Sequence, residues 1–269
     1  MSGRIINGDC EKVLKQLFSE GIKADLILTD PPYNLNKDFG NDSDKLSFDE
    51  FETTNRTRIS LCKDILKPDG GIIWFGIHGN IWVIQSIMHD LGLFYRRLNI
   101  WHYENGFSRS KKTLATTYEP FLWYSMNDKK YTFNCDDIRV PYQSERVNNP
   151  IYYYNSKGER KAWTPNPLGA MHGDIWSYPT LAGKLFKTEK TEHPTQKPES
   201  LITDLIKAFC PKNKDGKYEG LIIDPFHGSG TLGVCCEKLN KLGHNISWIG
   251  IEIEKKWCDV AQCRLDNLK

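Results

Sequence analysis

Short apolar runs alternate along the chain with segments whose apolar positions recur every three or four residues. The runs at 4–6, 26–29, 71–75, 97–102, 118–124, 221–223 and 247–251 read as buried strands. Segments 11–18, 48–66, 80–91, 198–209, 231–242 and 255–268 carry the helical pattern. Strands alternating with helices predict an α/β fold, a doubly wound and mostly parallel sheet of seven strands covered on both faces. The βαβ unit near the end of the chain cannot form a stable sheet alone. Its neighbours must come from upstream, so one sheet is assembled from both ends of the chain.

Directly after the run 26–29 stand Asp30-Pro31-Pro32-Tyr33. Two consecutive prolines cannot continue a ladder and are poor helix formers. The four residues therefore sit at the carboxyl end of a strand, where open α/β sheets place their ligands. They offer a carboxylate, a carbonyl and a flat aromatic face. That set suits a planar group bearing an exocyclic amine, which would donate to Asp30 and to the Pro31 carbonyl while its ring stacks on Tyr33. The lone pair of such an amine is delocalised and a poor nucleophile. Two acceptors aimed at its N–H bonds favour the pyramidal nitrogen of an attacking amine, which is preorganisation toward the transition state.

A second turn follows the run 221–223: Asp224-Pro225-Phe226-His227-Gly228-Ser229-Gly230-Thr231-Leu232-Gly233. Gly228, Gly230 and Gly233 fit G-x-G-x-x-G at the head of a helix. The next strand ends at Glu252, about 20 positions on, where a carboxylate commonly holds ribose hydroxyls. Strand, glycine loop, helix, strand and carboxylate in order are stronger evidence than the glycines alone. The two turns are expected side by side at one edge of the sheet.

Together the two turns resemble the catalytic and cofactor motifs of the amino DNA methyltransferases. Their order, catalytic motif first, is that of the β class. Asn7-Gly8-Asp9-Cys10, His193-Pro194-Thr195-Gln196-Lys197-Pro198 and Gly250-Ile251-Glu252-Ile253 match further family motifs, so the resemblance covers nearly the whole chain. It implies a Rossmann-like methyltransferase sheet, S-adenosylmethionine as methyl donor and DNA, duplex or single-stranded, as substrate. It also implies a restriction-modification setting, with room for a companion endonuclease and a homodimer. Aspartate at position 30 is the form that usually goes with N6-adenine in this family, whereas serine is commoner in the N4-cytosine enzymes, so the resemblance favours adenine and leaves cytosine open. Asp30, Pro31, Pro32 and Tyr33 are the implied catalytic residues. Asp9, Thr195, Lys197, Asp224, Pro225, Phe226, Gly228, Ser229, Gly230, Thr231 and Glu252 are the implied cofactor residues, with Lys197 pairing the donor's carboxylate. No covalent enzyme intermediate is required.

Three segments interrupt the αβ pattern: 34–47, 104–117 and 128–190. The second places Arg109, Lys111 and Lys112 around Ser108 and Ser110, a set suited to phosphate contacts. The stretch 129–190 holds ten Lys or Arg against six Asp or Glu, interleaved with Tyr152, Tyr153, Tyr154, Trp163, Trp176 and Tyr178. A stretch this long without periodicity is usually functional or disordered, and its aromatic content argues against disorder. In the family, target recognition lies here. Lys157, Arg160 and Lys161 are expected on phosphates, Arg139 and Arg146 on bases. Residues 1–127 and 191–269 then form the catalytic and cofactor-binding parts of one sheet, with 128–190 inserted between them.

Bulk properties fit an ordinary globular enzyme: 39% hydrophobic, 26% charged, net charge +2. With so small a net charge, affinity for nucleic acid must come from local patches. No apolar run approaches the ~20 residues needed to span a bilayer, and residues 1–18 lack a signal-peptide core, so a cytoplasmic location is expected. The eight cysteines form no C-x-x-C pair. Cys235, Cys236, Cys258 and Cys263 read as small apolar helix residues, and no metal site is expected. Other readings are an N4-cytosine DNA methyltransferase built from the same parts, a methyltransferase of RNA or a protein amide, a catalytically silent nucleic-acid-binding subunit, and a nicotinamide dehydrogenase. The last does not explain Asp30-Pro31-Pro32-Tyr33.

Overall fold

The computed structural model describes residues 3–35, 37, 44–107, 111–144, 147–149 and 151–268. Its strands are β1 (Arg4–Asn7), β2 (Ala24–Thr29), β3 (Leu66–Phe75), β4 (Phe94–Phe107), β5 (Thr116–Ser125), β6 (Ile151–Tyr154), β7 (Arg160–Trp163), β8 (Ile175–Ser177), β9 (Glu219–Asp224) and β10 (Asn245–Glu252). The helices are α1 (Cys10–Ser19), α2 (Phe48–Ile65), α3 (Ile81–Asp90), α4 (Glu199–Phe209), α5 (Thr231–Lys241) and α6 (Lys255–Asp266).

Among the described residues, eight strands form one sheet in the order β1-β10-β9-β2-β3-β5-β4-β8. Pairing is parallel except where β5 runs against β3 and β4. The last two strands of the chain lie between the first two, as the sequence requires. Apolar positions of α1, α2 and α3 pack on one face, around Leu14, Ile59 and Ile87; those of α4 and α5 pack on the other, around Leu205 and Cys235. Local signals start the helices. Asp9 caps α1 by accepting from the Lys12 amide, and Ser47 with Glu50 forms a reciprocal capping box on α2.

Seven strands were expected, and the eighth is β8, from within 128–190. It is three residues long, too short for any period to be read, yet Trp176 is buried against Phe121 while Ile175 and Ser177 are exposed. The segment is anchored again at Asn134, whose amide donates to the Ala208 carbonyl, and at Tyr178, whose hydroxyl donates to Asp204 at 2.6 Å. Between these anchors β6 and β7 form a separate antiparallel hairpin, with every residue of β7 exposed. The interruption at 104–117 is shorter than expected, because β4 and β5 pair as far as Phe107 opposite Thr116. Cys235, Cys236 and Cys258 are buried, but Cys263 is exposed on the outer face of α6.

Candidate active site

β2 and β9 are neighbours near the middle of the sheet, so the turns after Thr29 and Asp224 emerge side by side at the carboxyl ends of central strands. They open into a cleft of about 820 Å³, continuous with solvent. Its walls are Gly8, Asp9 and Cys10 at the head of α1, Asp30, Pro31, Pro32 and Tyr33 after β2, Pro225, Phe226 and Gly228 after β9, and Glu252 and Ile253 at the end of β10. His193, Thr195 and Trp257 close it from the side.

The carboxylates are set by backbone. Glu252 accepts the Gly228 amide on one oxygen and the Glu254 amide on the other, each at 2.8 Å. Burial raises its pKa, and these two amides pull it back down. Gly228 sits at φ +49°, where an added Cβ would meet the His193 ring at 2.9 Å. His193 is held neutral by burial and by nearby cations, with its pKa lowered to about 4.

Asp30 lies in a ring of four side chains. The Tyr33 hydroxyl donates to Asp30 Oδ1, and the Lys197 ammonium donates to Asp30 Oδ2. Both partners also meet Glu119 Oε2, each at 3.1 Å. Lys197 is 5% exposed and stands 5.2–5.6 Å from the ring centres of Phe75, Tyr33 and Trp101. Burial alone would lower its pKa, but Asp30 and Glu119 outweigh that, and the ammonium stays charged. Burial pushes the Asp30 carboxyl up, Lys197 opposes this and Glu119 reinforces it, with a net rise. The backbone of Tyr33 is fixed by Asn80, whose side-chain amide donates to its carbonyl at 2.7 Å. A carboxylate has about four lone-pair sites, so Asp30 keeps acceptor capacity for an incoming amine.

Several expectations need correction. Lys197 is ion-paired with Asp30 and Glu119 and lines the smaller cavity beside Thr195 and Gly228, so a carboxylate there would share its ammonium with two acids. Gly230 turns toward α6, where a Cβ would lie 2.6 Å from that of Ala261; its φ of +80° and this close approach explain the glycine. Asp224 accepts from Thr29 and from the Phe226 amide and thereby shapes the turn. Ser229 and Thr231 contact Arg264, which Glu199 holds at 2.8 Å, and they border a smaller cavity adjoining Asp30. Arg139 is 12% exposed, bound to Asp136 at 2.7 Å and to the Gly169 carbonyl at 2.9 Å, so these ties must break before it reaches a base. Lys111, Lys112, Lys157, Arg160 and Lys161 are exposed, the last three together on the β6–β7 hairpin. Arg109 and Arg146 lie outside the described residues, as do Ser108 and Ser110.

Sequence reasoning missed Glu119, Asn80 and Arg58. Glu119 is a lone acid in an aromatic strand. It reaches the site because β5 is antiparallel, so its first residues lie beside the last residues of β3. Strand direction is not legible in an apolar run. Arg58, on α2, lines the cleft with its guanidinium 5.2 Å from the Phe226 ring centre.

The family model described as DNA methylase, N6_N4_Mtase, matches residues 24–263. The chain is 33% identical over 268 residues to the Type II methyltransferase M.HpaI of Haemophilus parainfluenzae, covering 99% of this chain and 75% of that protein. It is 30% identical over 264 residues to the DNA adenine methyltransferase YhdJ of Escherichia coli strain K12, covering 97% and 82%. Among solved structures, M1.HpyAVI in complex with SAM superposes with a TM-score of 0.67 at 23% identity, covering 99% of this chain and 100% of that one. The cytosine-N4-specific PvuII DNA methyltransferase superposes with 0.67 at 15% identity, covering 98% and 86%. These two likenesses establish the fold.

Proposed function

The chain belongs to the DNA methylase family, and from that membership we propose that it transfers a methyl group from S-adenosylmethionine to the N6 amine of adenine in a specific DNA sequence. The observation that carries this reading is the placement of Asp30, Pro31 and Tyr33 on the wall of the same cleft as the Gly228 turn and Glu252. The similarity to a DNA adenine methyltransferase supports adenine as the base. The Type II relatives support a restriction-modification role, with an endonuclease of the same specificity as companion.

The cleft suits the donor. Its wall combines apolar Phe226, Ile253 and Trp257 with the carboxylates of Asp9 and Glu252, the mix of apolar lining and few polar groups usual in small-molecule sites. Glu252 would hold the ribose hydroxyls, Asp9 and Ile253 the nucleoside end, and Thr195 with the Gly228 turn the methionine end. When bound, S-adenosylmethionine supplies an electrophilic methyl carbon on a sulfonium. The protein's part is positional and electrostatic. A flipped adenine costs a few kcal/mol to unstack from duplex DNA. Tyr33 offers it a face, and such stacking contributes roughly 1–3 kcal/mol. Asp30 and the Pro31 carbonyl accept from the amine and orient its lone pair.

The test is methyl transfer from labelled donor to DNA, followed by nucleoside analysis and mapping of the modified site. N6-methyladenine in one sequence context is expected. N4-methylcytosine as the product would replace the adenine reading, and no DNA methylation at all would remove it.

A further inference from the structure

The ring Asp30–Tyr33–Glu119–Lys197 contains two carboxylates and one ammonium. Lys197 and Tyr33 are both buried, and the ring as a whole is one positive charge short. The Tyr33 hydroxyl faces two carboxylate oxygens, Asp30 Oδ1 and Glu119 Oε2, yet it has a single hydrogen. With that hydrogen on Asp30, the 3.1 Å contact to Glu119 sets lone pair against lone pair. One added proton removes both problems. It makes the buried ring neutral and turns the contact into a hydrogen bond. Tyr103, on β4, also faces this group, and burial together with Glu119 keeps its hydroxyl protonated.

The reaction proposed above releases one proton. The new N–CH3 bond forms as the methyl–sulfur bond breaks, and the bond pair stays on sulfur. The nitrogen is left cationic, with one hydrogen too many. We propose that Glu119 is the store for that proton, a positioning residue that acts on the amine through Tyr33 and Asp30. The amine passes its proton to Asp30. The Tyr33 hydroxyl swings its hydrogen from Asp30 to Glu119 Oε2 and receives the Asp30 proton in its place. Asp30 is a carboxylate again, Tyr33 is neutral before and after, and Glu119 carries the proton. The sulfonium charge consumed in the step is replaced by a proton in the ring, so the buried region never gains net charge. Lys197, held by both carboxylates, keeps them apart and fixes their register. This inference rests on Asp30 being the amine's partner.

The test pairs E119Q, which keeps the shape but cannot take the proton, with E119D, which keeps the acid. In the donor-free protein, infrared titration with labelled carboxyl carbons should show one proton taken up by the ring above the ordinary carboxylate range. In E119Q the remaining uptake, at Asp30, should move to lower pH, because the neighbouring negative charge is gone. In single-turnover methyl transfer, E119Q should be slower by about 100-fold, in line with the usual contribution of a proton-transfer group. Its affinities for donor and DNA should stay close to wild type, and the acid limb of its pH–rate profile should move to lower pH. E119D should restore the position of that limb. Wild-type rate and limb in E119Q would overturn the proposal, and so would a wild-type ring that takes up no proton. If E119Q fails to fold, the wild-type titration and the E119D profile still decide. The titration needs neither donor nor DNA, so its failure is separate from a failure of the adenine reading, which only product analysis can reveal.

Discussion

Thr29 and Asp224 are 195 positions apart in the chain, and the Thr29 hydroxyl donates to Asp224 Oδ1 at 2.7 Å inside the protein. Each is the last residue of its strand, β2 or β9. The bond therefore pins together the starting points of the catalytic turn and the glycine turn. The same Asp224 oxygen accepts the Phe226 amide, so the pin also sets the first bend of the glycine turn. In a chain whose two turns come from opposite ends of the sequence, this contact fixes the spacing between them.

Thr29→Val keeps the shape and removes the donor. A buried carboxylate left without that partner should lower stability by about 1–3 kcal/mol, read from denaturant unfolding. Methyl transfer should fall more than donor affinity, because the two turns lose their common anchor. An unfolding midpoint equal to wild type would show that water satisfies Asp224 in place of Thr29.

Asp30→Ala should abolish methyl transfer while donor binding, measured by calorimetry, stays nearly intact. Asp30 meets Tyr33 and Lys197 and is proposed to meet the amine, whereas the donor's nucleoside end is proposed to lie against Asp9 and Ile253 on the cleft wall. Asp30→Asn should be less harmful, since its carbonyl still accepts one hydrogen bond. Equal losses of donor affinity and rate would contradict the assignment.

The strands and helices of the sheet were legible because each apolar run is bounded by turn residues and buried on both faces, as Leu26, Ile27 and Leu28 are. Asp30 and the Gly228 turn were legible because their chemistry is contiguous in sequence. Glu119 and Asn80 were not, because they reach the site only through the antiparallel direction of β5 and the position of α3. Trp176 read as part of an irregular basic segment, because one buried residue between two exposed ones carries no period. The ion pairs of Lys197 were not legible for a related reason. Sequence places it beside the donor motifs, and only the fold shows two carboxylates converging on its ammonium.

His193 makes stability depend on pH in a definite direction. Its folded pKa is lowered to about 4 by burial, Lys197, Lys37 and Arg264, against about 6.5 unfolded. Between those values the unfolded chain binds a proton that the folded protein does not. The stability His193 permits is therefore complete above about pH 6.5 and declines as pH falls toward 4. His193→Gln should flatten that decline by roughly 1–2 kcal/mol after allowance for partial exposure, measured by unfolding at several pH values. A parallel pH dependence in the variant would place the titrating group elsewhere.

Glu252→Ala should weaken donor binding by roughly 1.5–3 kcal/mol, the contribution of hydrogen bonds to a charged group. The Gly228 and Glu254 amides lose their acceptor as well, so the Gly228 turn should loosen. Glu252→Gln retains an acceptor for one of those amides and should fall between wild type and Ala. Calorimetric titration with donor reads both effects, with DNA affinity changed less. Unchanged donor affinity in the Ala variant would move the ribose contact to another residue.

The β6–β7 hairpin concentrates the basic and aromatic side chains of the inserted segment. Tyr152, Tyr153 and Tyr154 are 52%, 49% and 72% exposed, and Lys157, Arg160 and Lys161 stand among them. An isolated two-stranded hairpin is marginal in water, so a partner is expected to complete it. The Arg160 guanidinium covers the Tyr152 ring at 3.9 Å, and Lys161 lies 3.7 Å from Glu159, so DNA must compete with both contacts. Each phosphate contact adds about −0.9 to the slope of log affinity against log salt on duplex DNA, and about −0.7 on single strands. Neutralising Lys157, Arg160 or Lys161 should flatten the slope by nearly one contact each and leave the target sequence unchanged, because phosphate contacts position without specifying. Arg139→Ala should behave differently. It breaks the ties to Asp136 and Gly169 and should lower stability without relaxing discrimination at any base. A folded triple variant of the hairpin with the wild-type salt slope would shift the phosphate contacts to the β4–β5 connection, where Lys111 and Lys112 are exposed.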